Sequence, residues 1–219
     1  MSRAELKQLA KRQIKGNIPI LFVFSIIANL SSTTGNIFAN NFKFNKMTSL
    51  DAIRAMIPAM IGFGLLLWLL VFVVFSPLQI SLAHTYLKVA DEEKPQFNML
   101  GYGFRNCWTQ SALLGFFSNV FIFLWSLLFV IPGIIKSYSY RMSSYIMAEN
   151  PEISALDAIT KSKQMMKGHK FELFVLDLSF ILWYLLVAIT LGIASIYVMP
   201  YTTATRANFY LKLKEEQAE

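Results

Sequence analysis

Residues 55–83, 107–135 and 178–205 contain no Asp, Glu, Lys or Arg, giving uncharged runs of 29, 29 and 28 residues in a chain of 219. A bilayer core about 30 Å thick is crossed by roughly 20 apolar helical residues. Three such runs exceed what a soluble fold of this length can hide in its core. Only 15% of the residues are charged, against about 25% in a typical soluble domain. The expected fold is therefore all-α, a polytopic membrane helical bundle.

Segment lengths set the number of crossings. Spans are expected over 18–37 and 57–83. Residues 107–148 would make a helix of about 63 Å at 1.5 Å per residue, too long for one crossing. Pro132-Gly133 is a turn signal, which divides the region into 108–130 and 133–148. The region 172–211 is too long on the same arithmetic, and Gly192 divides it into 172–190 and 193–211. Six transmembrane helices result, arranged as three consecutive hairpins. The N-terminal segment is not read as a cleaved signal, because Ala28-Asn29-Leu30-Ser31-Ser32 lacks a small-x-small cleavage pattern.

Charge sets the orientation. With six crossings, residues 1–17, 84–106, 149–171 and 206–219 share one side and hold 5, 3, 4 and 3 Lys/Arg, while the other side holds Lys43, Lys46 and Arg54. Basic loops mark the cytoplasmic face, so both termini are expected there. The net charge of +7 then reflects topology, and no nucleic-acid partner is expected.

A short motif marks two of the entries. Lys11, Lys15-Gly16-Asn17 and Leu21-Phe22-Val23 recur as Lys163, Lys167-Gly168-His169 and Leu173-Phe174-Val175, 152 residues on. In each copy an amphipathic helix (1–17 and 152–168) is expected to lie on the membrane surface, stop at glycine and feed a span. The third entry, Phe104–Trp108, matches loosely. In the second helix, Ser154-Ala155-Leu156-Asp157 resembles a capping box with Asp in place of Glu. Its Lys161, Lys163, Lys167 and Lys170 suit anionic lipid headgroups or a protein partner.

Catalytic motifs are missing: the chain has no G-x-S-x-G, H-E-x-x-H, Walker or G-x-G-x-x-G pattern, and no enzyme activity or cofactor is expected. His84, His169 and the single Cys107 do not make a metal-ligand set. Ionisable residues inside spans are the sharper signal, because they pair and mark functional paths. Arg141 and Asp177 lie at matching depths, about 10 and 9 Å from the cytoplasmic ends of their spans, and are expected to pair. Lys136 is expected to reach the outer face. Tyr140 and Ser143 on the fourth span and Thr203 on the sixth fall in polar stretches of returning helices that also carry Pro77, Pro132 and Pro200. If these helices face one another, their polar sides line a central cavity. The alternative is that Ser and Thr only join helices.

Pro132-Gly133-Ile134-Ile135-Lys136-Ser137-Tyr138-Ser139-Tyr140, Ala148-Glu149-Asn150-Pro151, Ser154–Ile159 and Lys161–Phe180 resemble the bacterial DUF975 integral membrane family. Glu5-Leu6-Lys7, Ala10-Lys11 and Lys15-Gly16-Asn17 extend the resemblance to the N-terminus. It implies a multi-pass protein of the bacterial plasma membrane and no assigned activity. The chain is also loosely similar to the membrane domains attached to some glycerophosphodiester phosphodiesterases, without their hydrolase residues. Two functional readings follow, a transporter-like or transport-accessory component, and a lipid-interacting scaffold that recruits a protein partner or a second copy of itself.

Overall fold

The computed structural model describes residues 3–25, 62–64 and 75–218, and every element among them is helical. Helix α1 is Arg3–Ile14, and helical residues 18–25 and 75–90 form α2 and α3. A 3-10 turn, Phe97–Gly101, leads into α4, Tyr102–Asn106. Next come α5, Trp108–Leu128, α6, Val130–Ser139, and α7, Ser143–Glu149. The chain continues as α8, Ala155–Met165, α9, Lys170–Leu178, α10, Ile181–Ile189, and α11, Ser195–Ala218. Most of the expected spans 18–37 and 57–83 lies outside the described residues.

Two stretches among the described residues are long and apolar enough to cross a membrane, Trp108–Leu128 and Lys170–Ile189. Neither is buried as a soluble core helix would be. In α5 only Ser111 and Leu114 are buried, while Phe123, Leu127 and Leu128 are exposed, as are Leu182, Leu185 and Ile189 of α10. A contiguous apolar surface of this extent needs an apolar medium or a partner to cover it.

The two Lys-Gly turns are built alike. Gly16 and Gly168 both adopt left-handed backbone, at φ 89° and 92°, which L side chains resist. Bonds in the first turn, from Lys15 N to Arg12 O, Asn17 N to Ile14 O and Leu21 N to Asn17 O, recur 152 residues on between Lys167 and Gln164, His169 and Met166, and Leu173 and His169. Side chains buried to within 1% also correspond: Leu6 with Ala158, Ala10 with Ser162, Ile14 with Met166, Leu21 with Leu173, and Phe24 with Leu176.

The helices preceding these turns do not lie flat with free apolar faces. Leu6, Ala10 and Ile14 of α1 are fully covered, its main neighbour is α11, and Asn208 Nδ2 donates to Gln13 Oε1 at 2.9 Å. Helix α8 buries Ala158, Ile159, Ser162 and Met165 against α5 and α7, leaving Leu156 exposed. An apolar stripe reads the same whether it meets lipid or protein, and here protein takes it. The Ser154 cap forms as expected: Asp157 N–H donates to its hydroxyl at 3.1 Å.

The hairpin after α5 turns earlier than Pro132-Gly133. Phe129 is the extended residue, at φ −159° and ψ 147°. Pro132 falls in the first turn of α6, where a missing N–H costs nothing. Gly133 serves packing: a Cβ there would collide with Ser126 Oγ on α5. The expected 133–148 span is in fact two helices, α6 and α7, broken at residues 140–142. Pro200 lies inside α11 without ending it.

Candidate functional site

The site begins at that break. An uninterrupted helix would bond Met142 N–H to Tyr138 and Ser143 N–H to Ser139. Instead, the Ser162 hydroxyl of α8 accepts from Met142 N–H at 3.2 Å and donates to Ser139 O at 2.8 Å. One buried hydroxyl thus satisfies both groups freed by the break, as an inserted side chain can. Local hydroxyls add to it: Ser139 Oγ donates to Ile135 O and Ser143 Oγ to Tyr140 O, the kind of back-bonding that bends helices. Arg141 sits on this corner.

From the corner Arg141 faces a cavity of about 430 Å³ between α3, α5, α6 and α7. Its lining is polar for a bundle of apolar helices: Gln79 from α3, Ser111, Ser118 and Asn119 from α5, Ser137 from α6, and Tyr140, Ser143 and Ser144 around the break. A second cavity of about 230 Å³ shares Gln79, Arg141 and Ser144 with the first and adds Leu82, Tyr145, Thr203 and Arg206. The return helices meet in register here. Arg141 and Arg206 stand four residues before Tyr145 and Tyr210, and Leu82 stands four before Tyr86. All three tyrosines are buried, and Tyr145 stacks on Tyr210 at 5.4 Å.

The expected Arg141–Asp177 pair is not formed. Asp177 Oδ1 accepts from Arg206 Nε at 3.1 Å and Nη2 at 2.9 Å, and Tyr138 Oη approaches Oδ2 at 3.4 Å. Charge counting places Arg206 in the cytoplasmic segment 206–219, but α11 brings its guanidinium to Asp177 of α9. The Arg141 side chain makes no hydrogen bond or ion pair among the described residues, while its backbone N–H donates to Tyr138 O. Asp177 is thus the bonded counter-ion of Arg206 alone, and among the described residues the two cavities are lined by Arg141 and Arg206 and by no carboxylate.

Of the other expected residues, Tyr140 and Ser143 line the larger cavity and Thr203 the smaller. Lys136 lies apart from both, with its ammonium 4.5 Å above the Trp125 ring. Lys161, Lys163 and Lys167 are exposed and Lys170 is half-buried. Sequence reasoning did not assign a role to Ser118, Asn119 or Ser162. Ser162 carried a signal, being a polar residue on the face that α8 buries. The buried Ser118 hydroxyl has no hydrogen-bond partner among the described residues. Cys107 is buried at the start of α5, and burial pushes its thiol pKa up, which keeps it unreactive.

The corner, the ion pair and Ser162 all lie in one stretch, from the end of α5 to α11. Residues 127–217 match the DUF975 family, described as a protein of unknown function. The DUF975 match thus contains Arg141, Asp177 and Arg206, whereas the α3 and α5 walls of the larger cavity precede it. No curated protein and no solved structure matches the chain, and the likeness to glycerophosphodiester phosphodiesterase membrane domains finds no counterpart.

Proposed function

We propose that this chain is a six-span protein of the bacterial plasma membrane, with both termini cytoplasmic, that admits a polar solute to the cavities around Arg141 as a transporter-like or transport-accessory component. The observation that carries this reading is a polar, arginine-bearing pair of cavities inside a shell of exposed apolar helix. A broken helix at membrane depth is tolerated where it lines a cavity, and transporters build substrate sites that way. Contacts where the basic segments meet the expected spans favour the three-hairpin topology. Tyr102 Oη donates to Ala148 O, Gln110 Oε1 accepts from Ala155 N, and Lys214 pairs with Glu149, so the ends of these segments gather together. A lipid-interacting scaffold, the other reading, calls for a filled centre.

The test is labelling of single cysteines in membranes by an impermeant thiol reagent, in a Cys107→Ala background. Cysteines replacing Ser144 and Thr203 are expected to react, while one replacing Ser139, whose side chain is buried, is expected to stay protected. Protection at both Ser144 and Thr203 would contradict the cavity.

A further inference from the structure

We infer that Arg141 anchors a phosphate-bearing ligand in the larger cavity, an inference that rests on the proposed solute-admitting reading. Three observations converge. Asp177 accepts two hydrogen bonds from Arg206, so the carboxylate nearest in chemistry is already engaged and Arg141 keeps its fork of donors. The free hydroxyls around it also lack acceptors: Ser118 Oγ is buried without a partner, and the Ser144 hydroxyl makes no hydrogen bond among the described residues. Finally, Ser118 comes from α5 while Arg141 and Ser144 come from the α6–α7 corner, so polar side chains border the cavity on two walls.

Arg141 keeps much of its surface open to the cavity, and a guanidinium set among membrane helices without a bonded counter-ion draws an oxyanion. A guanidinium fork matches phosphate oxygens two at a time. The Ser144 hydroxyl beside the guanidinium and the Ser118 hydroxyl across from it suit the remaining oxygens of a tetrahedral group better than a planar carboxylate with its two. The volume of about 430 Å³ accommodates a phosphate with a substituent attached. Such a group could belong to a soluble phosphate ester or to a phospholipid headgroup entering from the side.

The full chain, purified in a neutral detergent, is titrated with inorganic phosphate and separately with short-chain phosphatidylglycerol, with acetate as the carboxylate control and thermal unfolding as the readout. Stabilisation by phosphate, at least tenfold weaker in Arg141→Gln, supports the inference with a soluble source. Stabilisation by phosphatidylglycerol alone, weakened in the same way, supports it with a lipid source. Ser118→Leu fills the same space without touching the charge, and Arg141→Lys keeps the charge without the fork. Both are expected to weaken binding, and both stand in should Arg141→Gln not fold. No stabilisation by either phosphate probe, equal stabilisation by acetate, or full retention in the variants overturns the inference. Labelling at Ser144 together with such a result would leave the solute-admitting reading standing and remove only the phosphate.

Discussion

Helices α5 and α11 are close in length, 21 and 24 residues, and opposite in everything else. Apolar α5 keeps only Ser111 and Leu114 from the surface. In α11, by contrast, Thr202, Thr205, Asn208, Tyr201 and Tyr210 are buried beside Phe209 and Leu213. In water the hydrophobic effect would drive the reverse arrangement. The inversion teaches that the outer half of α5 is matched to an apolar surrounding. The centre is organised by hydrogen bonds, the Arg206–Asp177 ion pair and aromatic stacking.

The comparison can be broken first by truncation. Phe209→Ala, at a fully buried site, is expected to cost about 3–5 kcal/mol. Leu127→Ala, at a 73% exposed site, is expected to cost under about 0.5 kcal/mol. Unfolding in mixed micelles measures both, and similar losses would remove the distinction. Asp177→Asn leaves Arg206 without its charged acceptor and is expected to cost about 2 kcal/mol; Arg206→Gln in the same background should then add little, as a double-mutant cycle would show.

Smaller effects sharpen the account of the centre. Ser162→Ala leaves Met142 N–H and Ser139 O without partners, an expected loss of about 1–2 kcal/mol, with altered thiol labelling at Ser144 as the local readout. Gly16→Ala and Gly168→Ala meet no atom within 4 Å, so each is expected to cost only the left-handed backbone penalty, about 1 kcal/mol. Unequal losses would show that the two turns are not equivalent.

The smallest effect is on pH dependence. His84 stacks on Tyr102 at 3.7 Å. Burial and then Lys88 hold its pKa below the usual histidine value, against an opposing pull from Glu93. A lowered folded-state pKa means that the unfolded chain binds the proton more readily. The His84 contribution is therefore full above the ordinary histidine range and falls as pH drops through the folded value. Unfolding midpoints between pH 7.5 and 5 should decline, and His84→Gln should flatten the decline.

How far the sequence reached depends on the range of each interaction. Helix α5, both Lys-Gly turns and the Ser154 cap rest on neighbouring residues and could be read directly. Polar side chains along the returning helices point to one central cavity; Tyr140 and Ser143 line a cavity walled partly by α5, and Thr203 lines a second one. The corner at Arg141 could not be read, because the hydroxyl that sustains it comes from Ser162, on another helix. Matching depths gave Arg141 as the partner of Asp177, but depth leaves the rotation of each helix open, and rotation brings Arg206 to the carboxylate. The faces of α1 and α8 are amphipathic in sequence, yet that pattern does not say that protein covers them.

The inverted arrangement is tested most directly by nitroxide labels at residue 127 on α5 and residue 203 on α11, in a Cys107→Ala chain reconstituted into bilayers. Collision with oxygen reports an apolar surrounding, and collision with a water-soluble nickel chelate reports a wet one. We predict that oxygen dominates at position 127 and the chelate at position 203. The opposite ranking would contradict the account.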